Sequence, residues 1–479
     1  MSDGGVARLE DAVHGLMEFR GANTIVPELL DTRELQRLRN VSQTGLGRLV
    51  YPTADHSRFA HSLGTAFLAT KFGSRLREET RRHLAPGLRA DDLAIRDLAV
   101  AALCHDLGHG PLSHLWERVV MGRDFDRAKW IAAYGLEAEA DDLSHSSWHE
   151  IITQAFLAWP DGELHRALER MENGAAERIR ALLRGRYGLE YLPRLLSSDV
   201  DIDRADYLLR DAHATGVAYG RYDVDWLIST CGVGHTDAGR LVVGYDRRKG
   251  FRVVEQFLVA RRALYETVYY HKTVRAAEGL LELFVQRLRS LPHDELMAAI
   301  DPMFKPLVRV LSGQTCNLDE LLSLDDSLLW VFLRWLKTQE MIDWTLRDLG
   351  RRIVDRDLFK LVTDENGAID RLLERDGRDR IRSTIRPFVS GDPDYYFHPD
   401  TLDYHHLIDK PTSRSYFIDE DHKATPMWED RELNPFAERS WSDEVSSRKM
   451  LFCVREAVPA VRELLRSWSR PATIMPPSA

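Results

Sequence analysis

Cysteine is scarce in this sequence, which has only four cysteines in 479 residues. Cys104, Cys231, Cys316 and Cys453 lie far apart and form no CxxC pair, so neither a disulfide framework nor a cysteine-based zinc site is expected. The sequence also lacks a run of about 18 apolar residues. Its acidic N-terminus contains no apolar segment of signal-peptide length. We therefore expect a cytoplasmic protein without a membrane span.

An excess of positive charge is also missing, because the formal net charge is −10. An acidic surface repels phosphate backbones, so this charge excludes general coating of nucleic acid and leaves room only for a local basic pocket. Hydrophobic residues at 44% and charged residues at 29% are typical of a soluble globular protein. The sequence has no internal repeat and no low-complexity block.

Helical periodicity dominates what the sequence does contain. Apolar residues recur at i, i+3 and i+4 spacing in several long segments. This pattern predicts helices over Arg58–Leu76, Asp91–Leu103, Trp148–Ala158 and Glu255–Arg289. The expected fold is therefore mainly α.

Strand patterns are few. The segment Leu241–Tyr245, a turn at residues 247–250 and the segment Phe251–Val254 together predict a small β-hairpin. Ser415–Ile418 is a second β candidate. We expect these strands to be minor additions to a helical core.

The sequence pattern changes near residue 290. Histidines and acids cluster before this point, whereas residues 321–362 give apolar helices rich in tryptophan and residues 392–435 are rich in Pro, Asp and Tyr. We predict a catalytic helical core over residues 1–290 and a smaller α+β C-terminal lobe over residues 291–470, packed on the core and involved in assembly. Residues 471–479 are predicted to be a frayed tail.

Histidines and aspartates form three short clusters on predicted helices, at residues 56–64, 105–114 and 199–213. Imidazole nitrogen and carboxylate oxygen together suit Fe, Mn, Zn, Ni or Co, and additional carboxylates extend this range towards Mg. His105 and Asp106 follow an apolar helix that would hold them rigidly, and Gly108 and Gly110 would let the backbone approach a ligand. His61 and Asp203 would complete a metal site from other helices.

Helix geometry places further polar residues beside this set. Arg58 and His61 share a helix face. Two stripes have i, i+4, i+8 spacing: Asp203, Tyr207 and Asp211, and then Arg261, Tyr265 and Tyr269. A stripe of acid, tyrosine and acid suits a pocket wall, although a tyrosine stripe by itself is more often core. Arginines at such positions would neutralise phosphates.

At these residues the sequence resembles the HD superfamily, and specifically its deoxynucleoside triphosphate triphosphohydrolase branch. HDLGHGPLSH at residues 105–114 differs from the pattern of that branch at Leu112 only. HSRFAHSLG at residues 56–64 has Ala60 where the family usually has Glu. Further segments that resemble family patterns are DAVHG at 11–15, DTRELQRLR at 31–39, IDRADYLLRD at 202–211 and YYHKT at 269–273. A weaker likeness continues through RIVDRDLFK at 352–360.

The resemblance implies a role for each matching residue. The implied metal ligands are His61, His105, Asp106 and Asp203. The implied catalytic residues are His109 near the α-phosphate, His149 as the proton donor to the leaving oxygen, Glu117 in the place of its usual Asp partner, and the adjoining Glu150. The implied substrate-binding residues are Arg58, Arg204 and Arg261 at the phosphates, Tyr207 under the sugar, Gln43 and Asp211 at the 3′-hydroxyl, Tyr265 near the base, and also His114 and Tyr269.

The implied reaction is metal-dependent hydrolysis of deoxynucleoside triphosphates to deoxynucleoside and triphosphate, with Fe, Mn, Co, Ni or Zn at the His/Asp site and Mg with the substrate phosphates. Two alternatives stay open. One is an HD nuclease or phosphodiesterase acting on oligonucleotides or cyclic nucleotides, and the other is a nucleotide-binding sensor with little turnover. Arginine clusters at residues 178–186 and 375–386 could serve the first alternative, although such clusters are more often solvated helix faces.

The resemblance also implies assembly into a homodimer or homotetramer, in which nucleoside triphosphates act as substrate and as activator. The implied activator site comprises Arg8, Asp31, Gln36 and Arg39. Asp31 could instead be a helix N-cap, and Gln36 and Arg39 could merely brace that helix. Nucleotide-pool control and antiviral defence against phage both agree with such an enzyme.

Overall fold

The computed structural model describes residues 5–122, 125–362, 368–374, 377–403, 415–430, 432–433 and 447–469. Most of these residues are helical, which confirms the expected mainly α fold. The predicted frayed tail at residues 471–479 lies outside the described residues, as does Arg375 of the second arginine cluster. None of the described helices combines the length and apolar character needed to cross a membrane.

The described α-helices are numbered α1 to α22 in chain order. The first thirteen are α1 (Ile25–Leu29), α2 (Arg33–Gln36), α3 (Arg58–His83), α4 (Asp92–Cys104), α5 (His114–Met121), α6 (Arg127–Ala133), α7 (Ala140–Leu143), α8 (Trp148–Ala158), α9 (Glu163–Met171), α10 (Ala175–Leu183), α11 (Ile202–Thr215), α12 (Val224–Thr230) and α13 (Arg247–Leu264). The others are α14 (Lys272–Ser290), α15 (His293–Ala299), α16 (Lys305–Leu311), α17 (Leu318–Leu322), α18 (Asp326–Leu336), α19 (Trp344–Val354), α20 (Ala368–Glu374), α21 (Gly377–Ile385) and α22 (Val458–Ser469).

The described strands form three small sheets. The strands are β1 (Val6–Asp11), β2 (Gly15–Arg20), β3 (Cys231–His235), β4 (Leu241–Asp246), β5 (Lys360–Val362), β6 (Phe397–Asp403), β7 (Tyr416–Ile418), β8 (Ala424–Pro426) and β9 (Ser447–Cys453). β1 and β2 form an antiparallel hairpin, and the other sheets have the orders β3-β4-β7-β8 and β5-β9-β6. The β candidate at Ser415–Ile418 is confirmed by β7.

The chain contains two compact units. The first comprises residues 1–268, 315–326 and 406–441, and the second comprises residues 269–314, 327–405 and 442–479. In the second unit, α14 packs on α19 and contacts β5 and β6. The boundary at residue 290 and the role of a C-terminal lobe in assembly remain predictions.

Helix α3 is the axis of the first unit. It packs along α4 and against α11, and it contributes buried apolar side chains at helical spacing, including Phe59, Leu63 and Phe72. α4 begins at its N-cap Asp91, whose side chain accepts a hydrogen bond from the backbone N–H of Ala94, and it is apolar and buried towards its C-terminal end. The predicted helices at residues 58–76, 91–103 and 148–158 are thus confirmed.

The β-hairpin predicted around Leu241 is wrong about the strand that pairs with β4. β4 pairs with β3 on its N-terminal side, and residues 251–254 belong to α13. Asp246 caps α13 by accepting hydrogen bonds from the backbone N–H groups of Arg248 and Lys249, so the expected turn is the first turn of a helix.

The long helix predicted over Glu255–Arg289 is split. α13 ends at Leu264, a π-helical turn covers Tyr265–Tyr269, and α14 starts after His271, whose side chain accepts a hydrogen bond from the backbone N–H of Thr273. A π-helical turn changes the angular position of every following residue. The expected i, i+4, i+8 stripe from Arg261 therefore does not continue regularly to Tyr269.

Candidate functional site

Four side chains from three helical elements of the first unit converge on one point. His61 lies in the first turn of α3, His105 and Asp106 directly follow α4, and Asp203 lies in the first turn of α11. The Nε2 atom of His61 lies 3.0 Å from Oδ1 of Asp203 and 3.4 Å from Oδ2 of Asp106. The Nε2 atom of His105 lies 3.5 Å from the same Asp203 oxygen and 3.4 Å from Oδ1 of Asp106. The structure therefore brings together all four predicted ligands.

The two histidines are oriented through their other ring nitrogen. Nδ1 of His61 lies 2.8 Å from Oδ2 of Asp206, and Nδ1 of His105 lies 2.7 Å from the carbonyl oxygen of Ala102. A proton on each Nδ1 leaves the lone pair on Nε2, which is the arrangement of a metal-binding imidazole. Asp206 is itself held by Nε2 of His14 at 2.6 Å.

The donor atoms fit a divalent metal ion. Among the described residues, neither Nε2 atom has a well-aligned hydrogen bond, although carboxylate oxygens lie 3.0 to 3.5 Å away. Two donor atoms that are each about 2.1 Å from one ion are about 3.0 to 3.4 Å apart in octahedral or tetrahedral geometry. Buried nitrogens aimed at a shared point, with this spacing to carboxylates, are the donor set that Fe, Mn, Co, Ni or Zn prefers.

The charges at this point favour a cation. Burial lowers the pKa of His61, but the adjacent carboxylates of Asp203 and Asp206 outweigh burial and raise the pKa to about 10. Burial also lowers the pKa of His105, but the charge of Asp106 and the nearby carboxylate of Asp203 outweigh burial and raise the pKa. Burial raises the pKa of Asp106, whereas Arg58 and His105 bring it well below its usual range. The carboxylates therefore stay ionised and attract protons or a metal ion.

Arg58 connects this candidate metal centre to the loop after it. Its guanidinium is buried, its Nη1 pairs with Asp106, and its Nε donates to Oγ of Ser113 over 2.8 Å. Its Nη2 has no hydrogen-bond partner within the described part of the chain. This nitrogen is buried beside the metal centre, where it can donate to an anion.

The loop at Leu112–Ser113 has an unfavourable backbone. Leu112 has φ 62° and Ser113 has φ 59°, in the left-handed region that costs about 1–2 kcal/mol per non-glycine residue. The buried carboxylate of Asp326 accepts hydrogen bonds from the backbone N–H of Leu112 at 2.7 Å and from Oγ of Ser42 at 2.6 Å. Ser113 in turn donates from its hydroxyl to the carbonyl of Ser42. These bonds fix the serine that holds Arg58.

A second arginine, Arg37, holds the backbone between α4 and α5. Arg37 is buried, and its Nη2 donates to the carbonyl oxygens of Leu107 at 2.6 Å and His109 at 2.7 Å. Its Nη1 donates to the carbonyl of Leu324 at 2.8 Å. The backbone that carries His109 is thus held by a charged side chain at two carbonyls, those of Leu107 and His109.

His149 and Glu117 form a close pair beside the metal centre. Nδ1 of His149 lies 2.5 Å from Oε1 of Glu117, so the longer side chain in place of Asp still reaches the imidazole. Burial lowers the pKa of His149, but the charge and hydrogen bond of Glu117 outweigh it and raise the pKa to about 9. His149 is therefore protonated at neutral pH.

Two further histidines surround this pair. The ring of His109 stacks on that of His149 with centroids 3.9 Å apart, and His114 has its Nδ1 3.3 Å from Oε2 of Glu117. Burial and the charge of Arg58 hold the pKa of His109 well below its usual range, so His109 is neutral. A cationic and a neutral imidazole thus lie face to face at the metal centre.

Glu150 points away from this cluster. Its carboxylate accepts hydrogen bonds from the backbone N–H and the hydroxyl of Ser147, which completes a capping box at the start of α8. Gly108 serves packing and not the approach of a ligand, because a Cβ on it would lie 2.0 Å from the carbonyl oxygen of His149. A Cβ on Gly110 would meet the ring of Trp116 at 2.4 Å.

The residues predicted at the sugar and base lie near Tyr207. This tyrosine shares α11 with Asp203, and its ring centroid is 6.5 Å from that of His61. Burial raises the pKa of Tyr207 well above its usual range, Tyr265 raises it further, and Arg204 and Arg261 lower it. These side chains therefore lie within electrostatic range of one another.

The remaining predicted substrate residues are more dispersed. Asp211 is buried and its Oδ1 lies 2.6 Å from Nε2 of His56. Oε1 of Gln43 is buried and has no hydrogen-bond partner among the residues described. Tyr269 lies at the end of the π-helical turn.

The residues predicted to bind an activator are engaged with their neighbours. Nε of Arg8 donates to Glu18 at 2.8 Å across the β1–β2 hairpin. The amide of Gln36 donates to the carbonyl of Leu30 at 2.7 Å and accepts from Nε of Arg39 at 2.9 Å. Asp31 is exposed and Thr32, not Asp31, is the N-cap residue of α2, with no side-chain capping bond.

The arginines considered for nucleic-acid binding are mostly paired with acids. Arg178 pairs with Asp97, and Arg180 and Arg184 both pair with Glu177. Arg180 and Arg184 are largely buried as well, so these contacts neutralise arginines that pack on the protein.

Sequence reasoning missed the residues that hold the ligands in place, namely Asp206, His14, Arg37 and Asp326. A ligating histidine usually donates its other N–H to a carboxylate or a carbonyl, and Asp206 lies one turn after Asp203, so this rule could have identified it. Asp326 gave no such indication, because its partner Ser42 lies 284 residues away in sequence.

Comparison with known proteins agrees with this geometry. The HD domain family pattern matches residues 58–211. The uncharacterized protein YwfO of Bacillus subtilis is 30% identical over 355 residues, which are 74% of this chain and 71% of that protein. The chain belongs to the HD domain family, and the resemblance noted in the sequence is confirmed.

Other similar proteins are longer or more distant. Bovine deoxynucleoside triphosphate triphosphohydrolase SAMHD1 is 24% identical over 373 residues, which are 76% of this chain and only 60% of that protein. The uncharacterized protein MJ1154 of Methanocaldococcus jannaschii is 30% identical, and the match covers 57% of its length. A phosphohydrolase structure from Bacteroides thetaiotaomicron shares the fold with a TM-score of 0.69 and 23% identity, over 94% of this chain and 100% of that one.

Proposed function

We propose that this HD-domain protein is a metal-dependent hydrolase that converts deoxynucleoside triphosphates to deoxynucleoside and triphosphate. The observation that carries the proposal is the convergence of His61, His105, Asp106 and Asp203 beside a buried arginine and a protonated histidine. The similarity to proteins named deoxynucleoside triphosphate triphosphohydrolases supports the choice of substrate class.

His61, His105, Asp106 and Asp203 would hold a divalent ion, and Mg would accompany the substrate phosphates. When bound, the ion supplies Lewis acidity towards a phosphoryl oxygen and lowers the pKa of water, to about 7 in the zinc case. The chain's part at this point is to fix the four donor atoms. Asp206 and the carbonyl of Ala102 perform that task by holding both imidazoles in one tautomer.

The arginines would stabilise the negative charge of the triphosphate. Nη2 of Arg58 is buried and directed by Ser113 and Asp106, so little conformational entropy is lost when it donates to a phosphate oxygen. Arg204 and Arg261 lie near Tyr207 and would contact the same polyphosphate. Arginine suits this role because its planar donors match phosphate oxygens.

His149 would donate a proton to the leaving 5′-oxygen. Glu117 holds Nδ1–H and keeps the imidazolium form at neutral pH, which leaves Nε2–H as the proton to be transferred. Neutral His109 stacked on this ring would orient it and contact the α-phosphate. A positioned general acid contributes about 10²–10⁴-fold to the rate.

Tyr207 would provide the preference for deoxyribose. It lies one turn after Asp203, so its ring would crowd a 2′-hydroxyl of a nucleotide whose phosphates are at the metal centre. Asp211 and Gln43 would bind the 3′-hydroxyl. The proposal also includes a cytoplasmic location and assembly into a homo-oligomer. An activating nucleotide would bind at Arg8, Asp31, Gln36 and Arg39.

Incubation with each dNTP and NTP in Mg, Mn, Fe or Co, followed by chromatographic separation of products, tests the proposal. The expected products are deoxynucleoside and intact triphosphate, only with metal present. His105→Ala and Asp106→Ala should lose both bound metal and turnover with an unchanged far-ultraviolet circular dichroism spectrum. Release of a nucleoside monophosphate, cleavage of oligonucleotides, or turnover by a metal-stripped Asp106→Ala protein would refute it.

A further inference from the structure

A second group of metal-ligating side chains lies in the first unit, away from the HD residues. Glu79 and His83 occupy neighbouring turns near the end of α3, and His422 lies in the turn between β7 and β8. Oε1 of Glu79 is 3.8 Å from Nδ1 of His83 and 3.9 Å from Nδ1 of His422. Both imidazoles therefore present the same ring nitrogen to one carboxylate oxygen.

The histidine on α3 is already oriented as a ligand. Nε2 of His83 lies 3.1 Å from the carbonyl oxygen of Val233 and donates to it, which leaves the lone pair on Nδ1. This Nδ1 is buried and has no hydrogen-bond partner within the described part of the chain. A buried nitrogen that faces a carboxylate and another imidazole, and has no partner among the described residues, is free to bind an added ligand such as a metal ion.

The carboxylate is held in a similar way. Oε2 of Glu79 accepts from Nη2 of Arg75 at 3.3 Å, and Nε of Arg75 donates to the carbonyl of Cys231 at 3.1 Å. One oxygen is thus fixed by an arginine, and the other faces the two histidines.

The third side chain is presented by a specialised turn. His422 has φ 58°, and Asp419 accepts backbone hydrogen bonds that close the turn. The carbonyl of His422 accepts from the backbone N–H of His235 at 2.8 Å, and a Cβ on the neighbouring Gly234 would lie 2.7 Å from that carbonyl oxygen. The glycine permits this close approach, which brings the ring of His422 onto that of His83 with centroids 3.9 Å apart.

We propose that Glu79, His83 and His422 form a second divalent-metal site, with zinc as the matching ion. Two imidazoles and one carboxylate are a common zinc ligand set that leaves a fourth position for water. Oε1 of Glu79 lies 3.8 and 3.9 Å from the two Nδ1 atoms, against about 3.4 Å between two ligands of a tetrahedral zinc ion. Side-chain movements of about 0.5 Å, with a rotation of the stacked imidazoles that turns both Nδ1 lone pairs towards one point, would complete the ligand geometry. Such an ion would tie the β7–β8 turn to α3, and this role is independent of the proposed hydrolase activity.

The test uses the full-length protein, stripped with chelator and loaded with Zn²⁺ or Co²⁺, and counts bound metal per chain by mass spectrometry. Glu79→Gln and His422→Ala should each bind one ion fewer than wild type. They should keep hydrolase activity, because neither residue is at the HD centre. His235→Ala is the matched control, since it removes an exposed histidine from the same surface, and it should bind as much metal as wild type.

A second measurement separates this site from the HD centre. In an His105→Ala background, Zn²⁺ should still raise the thermal unfolding temperature, and adding His422→Ala should abolish that rise. Equal metal content in wild type and His422→Ala would overturn the proposal. The proposal would also be overturned if Zn²⁺ raised the unfolding temperature of the double variant His105→Ala/His422→Ala as much as that of His105→Ala.

Discussion

Asp326→Asn should weaken the turn that holds Arg58. The carboxylate uses Oδ1 for the backbone N–H of Leu112 and Oδ2 for the backbone N–H and hydroxyl of Ser42. An asparagine has a single acceptor oxygen, so in either orientation its NH₂ group faces a donor. A buried donor left without an acceptor costs about 1–3 kcal/mol. We expect the free energy of unfolding to fall by about 2 kcal/mol.

The same change should reduce turnover. Leu112 and Ser113 occupy the left-handed region, and the bond from Leu112 to Asp326 offsets part of the cost of that conformation. Once this bond is lost, the turn can relax towards an ordinary backbone, and Oγ of Ser113 moves relative to Nε of Arg58. The expected result is a lower kcat/KM for dNTP hydrolysis, because the buried guanidinium loses its fixed direction.

Urea denaturation measures the first effect, and initial rates in saturating metal measure the second. Asp319→Asn is the control, because it removes the same charge from an exposed residue. The carboxylate of Asp319 lies 3.5 Å from the guanidinium of Arg33. This variant should change stability by no more than about 0.5 kcal/mol. Equal denaturation midpoints for the two variants, or a destabilised Asp326→Asn protein with unchanged kcat/KM, would refute the reasoning.

Four further predictions concern the proposed catalytic and activator sites. Tyr207→Ala should narrow the preference for a dNTP over its matching NTP, measured as a ratio of kcat/KM; equal wild-type values would show that Tyr207 does not select the sugar. His149→Ala should lower kcat by about 10²–10⁴-fold with little change in KM. Because the His149 pKa is raised to about 9 by Glu117, kcat should decline as pH rises through that value, and Glu117→Gln should move the decline to lower pH; an unshifted profile would contradict the pairing. Arg39→Ala should lose activation by a second nucleotide and keep basal turnover, whereas hyperbolic kinetics and a nucleotide-independent mass in wild type would make Arg39 a bracing residue only.

Local patterns predicted α3, α4 and α8 of the first unit well. The apolar spacing in α3, α4 and α8 reflects burial of one helix face, and that spacing is visible in the sequence itself. The converging ligands were predicted because the motif preserves their order along the chain. The helices depend on residues within a few turns of one another. The four ligands were predicted from the family resemblance.

Several features of the fold were not predicted from the sequence. Residues 251–254 have a strand-like composition, yet the side chain of Asp246 caps a helix at that point. The π-helical turn at Tyr265–Tyr269 interrupts a periodicity that continues on both sides of it. The pairing of β3 with β4, and the support that Asp326 gives to Leu112, depend on tertiary packing that overrides local preference.

The contacts around the metal centre join segments that are made at very different times. His14 lies 192 residues before Asp206, and Ser42 lies 284 residues before Asp326. At about 5–20 residues per second, synthesis of the chain between Ser42 and Asp326 takes about 14 to 60 seconds. During that interval the apolar faces of α3 and α4 have been made, but the carboxylate that secures the Leu112 turn has not. Asp326 therefore reaches Ser42 and the Leu112 turn only after the 284 residues that follow Ser42 have been made, and closing a loop of that length carries an entropic cost.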